Sequence, residues 1–395
     1  MPGKLKSPDF YHLVDLLNDE EIAIQNMTHD WVQERFKPLI QEHFRSGTFP
    51  MDLKDEMGEM GFFGANLPEE YGTAGINNVA YGLLMQELER GDSGLRSFAS
   101  VQGGLVMWPI WKYGSEEQRK TWLPRLAIGE RVGCFGLTEP DFGSNPGGML
   151  TRASRTETGW KLNGTKMWIT NSPVADLALI WAKDENGKIG GYLVERGTPG
   201  FETPEIHGKL SLRASITGEI VLKDCEIPAS NKLPEAKGLS APLSCLTQAR
   251  YGINWGAIGA AMDCYEEAVE YAGTRVQFDA PIAAFQLTQQ KLAQMLNEIT
   301  KAQFLTLQLG RLKDQGRMHH SQVSLAKMNN VAMALEIART ARTILGASGI
   351  TDEYNALRHA NNLESVLTYE GTHEMHTLVV GETITGIPAY RRIKE

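Results

Sequence analysis

The sequence has few cysteines, no long apolar run and no excess of positive charge, and each shortage closes off a class of function. Cys134, Cys225, Cys245 and Cys264 stand far apart with no CxxC pair. Neither a zinc pattern nor a disulfide framework is present, so a reducing compartment is expected. No apolar stretch approaches the ~20 residues that cross a bilayer as a helix. The formal charge of -9 argues against nucleic acid, whose phosphates need a basic face. A GxGxxG loop is missing too, so a nucleotide or flavin would have to be held without that phosphate cradle. There is no internal repeat, and consecutive strand-helix alternation is absent, which argues against a doubly wound sheet. The first six residues carry neither a signal-peptide core nor the Arg/Ser-rich texture of a transit peptide. A soluble intracellular protein is expected: cytoplasmic in a bacterium, or in the mitochondrial matrix as a mature eukaryotic form.

What is present is ordinary globular sequence, 395 residues with 42% apolar content, enough for two or three cored domains. The first third reads as helix over residues 13–44, 53–63 and 79–90. Ser115 and Gln118 form a capping-box signature that opens a helix running to Leu126, with Gly129 ending it. From 133 to about 234 the texture becomes short β-prone runs, including 177–182, 191–195 and 219–222, with Asn186-Gly187 as a hairpin turn. From about 239 a helical period returns through Met328, Val331, Ala332, Leu335, Ala338 and Leu345. The expected domains are helical 1–132, β 133–238 and helical 239–395.

One carboxylate stands out. Glu370 lies between Tyr369 and Gly371 just after an apolar helical stretch. Glycine permits close backbone approach, and burial beside an aromatic raises a carboxyl pKa and makes it a better base. A second signal is the run 133–144, holding Phe135, Leu137, Thr138, Gly143 and Ser144, followed by Trp168, Ile169 and Thr170. These offer backbone N–H groups, hydroxyls and an indole suited to a flat heterocycle.

Together these motifs resemble the acyl-CoA dehydrogenase family, in the family's order and over most of the chain. The resemblance implies an α+β fold, mostly α: an N-terminal helical domain, a central β-domain and a C-terminal four-helix bundle. It also implies FAD as cofactor, a homotetramer, and electron-transfer flavoprotein as the electron acceptor. Residues 135–144 would line the flavin and pyrophosphate, and Trp168 to Thr170 would cover the ring system. Arg275, with Phe278 and Gln286 beside it, would meet the FAD of a neighbouring subunit. Leu345 and Gly346 would contact the adenosine half, and Thr372 and Glu374 lie in the cofactor-binding segment beyond the base. Glu370 would be the base that takes the α-proton of a CoA thioester, with Gly371 beside it, while Ser144 and the segment from Leu243 to Arg250 line the CoA tunnel.

Within that family, Glu89, Arg96, Ser97 and Ser100 match the glutaryl branch. The resemblance implies that Arg96 pairs with the distal carboxylate of glutaryl-CoA and that Ser100 adds a hydroxyl; a guanidinium fork binds carboxylate bidentately. Glu89 and Tyr369 are associated with the decarboxylating members. Leu95, Gly147 and Gly148 depart from the pattern. A short-chain or non-decarboxylating dehydrogenase, or an acyl-CoA oxidase of the same fold, stays open, as does an acyl-CoA-binding protein without catalysis. The histidines of His373-Glu-Met-His376 are spaced i, i+3 rather than the i, i+4 of a metalloprotease helix, so no metal is expected. His319 and His320 read as a solvated turn without function.

Overall fold

The computed structural model describes residues 7–389, and the first and last six residues lie outside it. The N-terminal third is helical. Asn18 opens α1 (Asp19–Trp31) with a full capping box, and a π-helical turn over Val32–Phe36 leads into α2 (Lys37–Ser46). The helical reading of 13–44 is thus broken at its start, where Leu13–Leu16 is a 3-10 turn. The helix expected over 53–63 shortens to α3 (Lys54–Glu59), because Gly61 turns left-handed at φ 70° and ends it. Then come α4 (Asn78–Gly91) and α5 (Ser93–Ser100). A π-helical turn over Val101–Met107 joins α5 to α6 (Trp108–Tyr113). The Ser115–Gln118 capping box opens α7 (Glu116–Ala127).

A sheet follows, built from β1 (Gly133–Gly136), β2 (Arg152–Arg155), β3 (Gly159–Thr170), β4 (Leu177–Lys183), β5 (Ile189–Glu195), β6 (Phe201–Glu202) and β7 (Thr217–Pro228). Its order is β1-β4-β2-β3-β7-β6, with β5 also paired on β4. The β4–β5 hairpin closes at Asn186-Gly187 as expected, with Asp184 accepting from the Asn186 and Lys188 N–H groups. In the β3–β7 ladder the register slips between Lys166 and Ile169, a bulge that re-aims the intervening Trp168.

The C-terminal part begins with α8 (Ser240–Thr274), whose 35 residues run about 50 Å. A small hairpin, β8 (Val276–Gln277) with β9 (Ala280–Pro281), leads to α9 (Gln286–Asp314), α10 (His320–Ile344), α11 (Ala356–Thr368) and α12 (His373–Thr385). His319, read as a turn residue without function, is the N-cap of α10: its ring accepts from the Ser321 N–H, and Gln322 completes a capping box. One core joins the N-terminal helices, the sheet and the first half of α8; a second fills the space among α8, α9, α10 and α11. Helix α8 packs on both α4 and α10 and so ties the two cores together. Among the described residues no helix is long and apolar enough to cross a membrane.

Candidate active site

Helix α11 stops at Thr368, and the next four residues make a tight turn into α12. Tyr369 is extended, Glu370 is left-handed at φ 52°, and Gly371 has φ 100°. Thr372 then caps α12 by accepting from the Met375 N–H. At Gly371 only glycine serves, since a Cβ would sit 2.9 Å from His376 Nε2 and 3.1 Å from an Arg250 nitrogen. At Glu370 the left-handed conformation costs about 1–2 kcal/mol, so surrounding contacts must hold it. Its Oε2 is buried without a hydrogen-bond partner among the described residues. Burial raises the Glu370 pKa above its ordinary 4.5, against the pull of Arg96, Lys327 and Arg250, and Glu89 adds to the rise. A carboxylate so desolvated, with its pKa raised and its direction set by a strained turn, is suited to general-base chemistry.

Arg96 on α5 reaches this turn from the N-terminal domain. It is wholly buried. Its Nε donates to Glu89 Oε2 at 2.7 Å and its Nη2 donates to the Tyr369 hydroxyl. Among the described residues Nη1 has no hydrogen-bond partner, and neither does Glu89 Oε1; Ser100 lies beside the Tyr81 hydroxyl. Burial works against the charge of the arginine, and Glu89, Tyr369 and Glu370 together more than offset it, so the guanidinium stays protonated. The space for Glu89 comes from Gly256 on α8, where a Cβ would lie 1.9 Å from Glu89 Oε2. Gly256→Ala is expected to destabilise the fold by about 1–3 kcal/mol through overpacking. It should also turn Glu89 off Arg96. A thermal melt run beside acyl-CoA kinetics checks this, and an unchanged melting temperature would refute it.

Two further cations face the same turn. Arg250 on α8 donates from Nε to the Glu370 carbonyl at 2.5 Å. Lys327 on α10 donates to the Tyr369 carbonyl and, at 2.7 Å, to the Gly371 carbonyl. Tyr81 on α4 is buried close enough to Arg96 and Glu370 to feel both charges, and burial pushes its hydroxyl up to about 12.

The β-domain presents a separate set. The Met167 N–H donates to the Thr138 carbonyl at 2.9 Å, which brings Thr138 beside Trp168. Buried Lys166 donates to the Leu137 carbonyl at 3.1 Å and to Glu139 at 2.9 Å, and Glu139 accepts from the Leu150 and Thr151 N–H groups. This pair pins both ends of the 137–151 loop to β3. Trp168, at φ 62°, is 55% exposed, so its indole is offered outward. Phe135, Leu137 and Ile169 have buried side chains, and what they offer a ligand is main chain. Thr170 pairs with Thr217. The loop before β7 hydrogen-bonds α11 through Leu212 N–H to Asn362 Oδ1 at 2.9 Å, which links this edge to the helix carrying Glu370.

The structure therefore gathers Glu89, Arg96, Arg250, Tyr369, Glu370 and Gly371 at one turn, with Ser97 and Ser100 buried on the α5 helix beside Arg96. Gly143 and Ser144 lie on the exposed part of the β-domain loop, and Leu243 is exposed on the first turn of α8. Arg275, Phe278 and Gln286 stand on or beside the β8–β9 hairpin, exposed, with Phe278 at 91%. They make none of the contacts at the Glu370 turn. Gly346 is exposed at the end of α10, whereas Leu345 is buried in the core; a ligand there would meet Leu345 by its main chain. Glu374 is exposed in the first turn of α12. The departures are absorbed by packing: Leu95 is core, and a Cβ at Gly148 would lie 2.2 Å from the Phe142 ring. Lys327, Tyr81 and Gly256 were missed. The available signal for Lys327 was a lone cation among Val323, Ala326 and Val331 on an apolar helix.

Comparison with known proteins agrees with this fold. Residues 18–130, 134–225 and 236–385 match the acyl-CoA dehydrogenase N-terminal, middle and C-terminal domains. The human mitochondrial short-chain specific acyl-CoA dehydrogenase is 33% identical over 375 residues, 94% of this chain and 91% of that protein. A crystal structure of a Mycobacterium smegmatis glutaryl-CoA dehydrogenase in complex with FADH2 superposes with a TM-score of 0.96 at 54% identity, covering 98% of this chain and all of that one. A glutaryl-coenzyme A dehydrogenase in its glutaryl-CoA complex superposes with a TM-score of 0.91 at 30% identity, covering 96% and 98%. The chain belongs to the acyl-CoA dehydrogenase family.

Proposed function

We propose that this acyl-CoA dehydrogenase oxidises glutaryl-CoA and releases its terminal carboxylate as CO2, giving crotonyl-CoA. The observation that carries the diacid reading is Arg96, a wholly buried guanidinium whose Nη1 has no partner among the described residues. A buried donor left unmade costs about 1–3 kcal/mol, more when charged, and a substrate carboxylate relieves that cost. The buried Ser100 hydroxyl one helical turn on supports the same occupant, as does the likeness to glutaryl-CoA dehydrogenases.

The cofactor is FAD, and the β-domain edge suits it. The outward Trp168 indole, the Thr138 and Thr170 hydroxyls and the pinned 137–151 loop offer a flat face and hydrogen-bond donors. When bound, FAD accepts the hydride lost from the substrate β-carbon. Glu370 takes the α-proton, and its main-chain N–H stabilises the thioester oxygen as negative charge gathers there. Oxidation leaves the terminal carboxylate where its departure forms a dienolate conjugated with the thioester. The C–C bond electrons stay with the substrate, and Glu370 returns its proton to the γ-carbon. Glu89 shares the Arg96 guanidinium and keeps it from over-stabilising the carboxylate, while Tyr369 closes that end against water. Ser144, Leu243 and Arg250 flank the CoA path, and the exposed β8–β9 hairpin with Arg275 meets a neighbouring subunit in a homotetramer. Electrons leave through electron-transfer flavoprotein.

The test is the fate of the carboxylate. Glutaryl-CoA carrying ¹⁴C in its free carboxyl, turned over with a dye acceptor, should release label as CO2 in step with acceptor reduction. Mass analysis should find crotonyl-CoA. Glutaconyl-CoA with label retained would place the protein among the non-decarboxylating members, and peroxide in place of dye reduction would make it an oxidase.

A further inference from the structure

The base turn is held by an arrangement that the reading above does not use. Three successive carbonyls, those of Tyr369, Glu370 and Gly371, each accept a hydrogen bond from a buried cation. Arg250 takes the middle one from α8. Lys327 takes the outer two from α10, 42 residues before Tyr369. Lys327 is 1% exposed among core residues of its helix, with its ammonium 5.6 Å from the Tyr369 ring centre. A lysine so placed is costly to bury, and no carboxylate hydrogen-bonds to it among the described residues. What it does instead is bracket the one non-glycine residue of this turn that sits in the left-handed region. The Glu370 N–H, in the same peptide unit as the Tyr369 carbonyl, donates to no acceptor among the described residues.

On the reading of Glu370 as the base, we infer that Lys327 is a positioning residue for the reaction: bridging the Tyr369 and Gly371 carbonyls, it holds Glu370 in its productive conformation and strengthens the Glu370 N–H as a donor to the thioester oxygen. The physical reason is twofold. The bond to the Tyr369 carbonyl fixes the peptide plane before Glu370, and the bond to the Gly371 carbonyl fixes the plane after Gly371; with Arg250 on the Glu370 carbonyl between them, the turn cannot flip to relieve the strained φ. A cation on the carbonyl of a peptide also polarises its N–H, because hydrogen bonds at the two ends of an amide reinforce one another. Lys327 thereby serves base and oxyanion donor together, without touching substrate.

Burial pulls the pKa of Lys327 itself down to about 7, against the attraction of Glu370, and while protonated its charge also acts on Glu370 through space. Glu370 is faced by Arg96 from α5, by Glu89 and Tyr81 from α4, by Arg250 from α8, by Lys327 from α10, and by Tyr369 of its own turn. His376 from α12 stands against Gly371 and Lys327 and is held neutral, its pKa pushed down to about 3 by burial. Of these groups only Lys327 is changed in the test. It opposes the protonation of Glu370, so removing its charge moves the Glu370 pKa further up.

The experiment compares Lys327→Met and Lys327→Arg with the wild-type holoenzyme, on whichever of glutaryl-CoA and butyryl-CoA the wild type oxidises. A wrong acyl assignment therefore leaves this test intact, whereas a Glu370→Gln enzyme with full activity would show the base assignment itself to be at fault. With Met, kcat should fall about 10–100-fold, less than the loss of a direct oxyanion donor, while KM changes little. The rising limb of kcat/KM against pH should move up by about one unit. Arginine should restore the limb to its wild-type position. A folded Met variant with a wild-type limb and kcat within about twofold would overturn the proposal. If the Met variant does not fold, Lys327→Gln, a neutral donor, takes its place with the same limb shift expected. Failure of both neutral variants to fold, beside an arginine variant of wild-type kcat, would make Lys327 a stability residue and overturn the proposal as well.

Discussion

Glu370→Gln is expected to retain FAD and bind acyl-CoA, yet reduce its flavin about 10²–10⁴-fold more slowly than the wild type, the usual loss on removing a general base. The amide is nearly isosteric and cannot accept the α-proton. It also needs no compensation for a buried charge, so the fold should not suffer. The setting makes the loss large: Glu370 Oε2 has no hydrogen-bond partner among the described residues, and burial raises its pKa. A base must be ionised to work, so wild-type kcat/KM should climb as pH rises through that pKa, with its midpoint above the ordinary 4.5. In the variant that limb should vanish. Stopped-flow bleaching of the flavin band reads both, and near wild-type bleaching would remove Glu370 from the mechanism.

Arg96→Met is expected to cost about 10²–10³-fold in kcat/KM on glutaryl-CoA, since breaking a buried charged contact takes about 3–5 kcal/mol. Butyryl-CoA, with no distal carboxylate, should lose far less. The structure adds a condition that the motif alone did not carry. Arg96 also holds Glu89 and the Tyr369 hydroxyl, so the single variant strands a buried carboxylate beside the base and weakens the fold. The discriminating protein is the double variant Glu89→Gln, Arg96→Met, in which no charge is stranded. Selective loss on glutaryl-CoA in that protein supports the diacid clamp. Equal loss on both substrates would make Arg96 structural and move the substrate to a monocarboxylic acyl group.

The parts of this molecule that were legible in advance are those whose causes lie within a few residues. The Ser115 capping box and the Asn186-Gly187 turn depend on local hydrogen bonds and dihedrals, and both appear where the residues put them. The helix–sheet–helix order follows from hydrophobic period, again a local property. Where local reading failed, a local detail was overlooked: Gly61 at φ 70° cut short α3, and His319 proved to be a cap.

The candidate site divides along the same line. From sequence alone came the candidate base, the Arg96 segment and the runs expected to face a flavin, because each is a short string of chemically distinctive residues. Tertiary structure alone decided that Arg96 arrives already paired with Glu89, that Gly256 makes the room for that pair, and that Lys327 and Arg250 grip the three carbonyls of the base turn. It also decided that Arg275 and Phe278 stand on an exposed hairpin, making none of the contacts at the Glu370 turn. These facts join residues tens to hundreds of positions apart, and the groups involved are a lysine, an arginine and a glycine of no special local pattern. Their roles come from what packing places opposite them: a carbonyl pair, a peptide plane, a buried carboxylate. Such energies depend on burial and distance in three dimensions, and so no spacing along the chain encodes them.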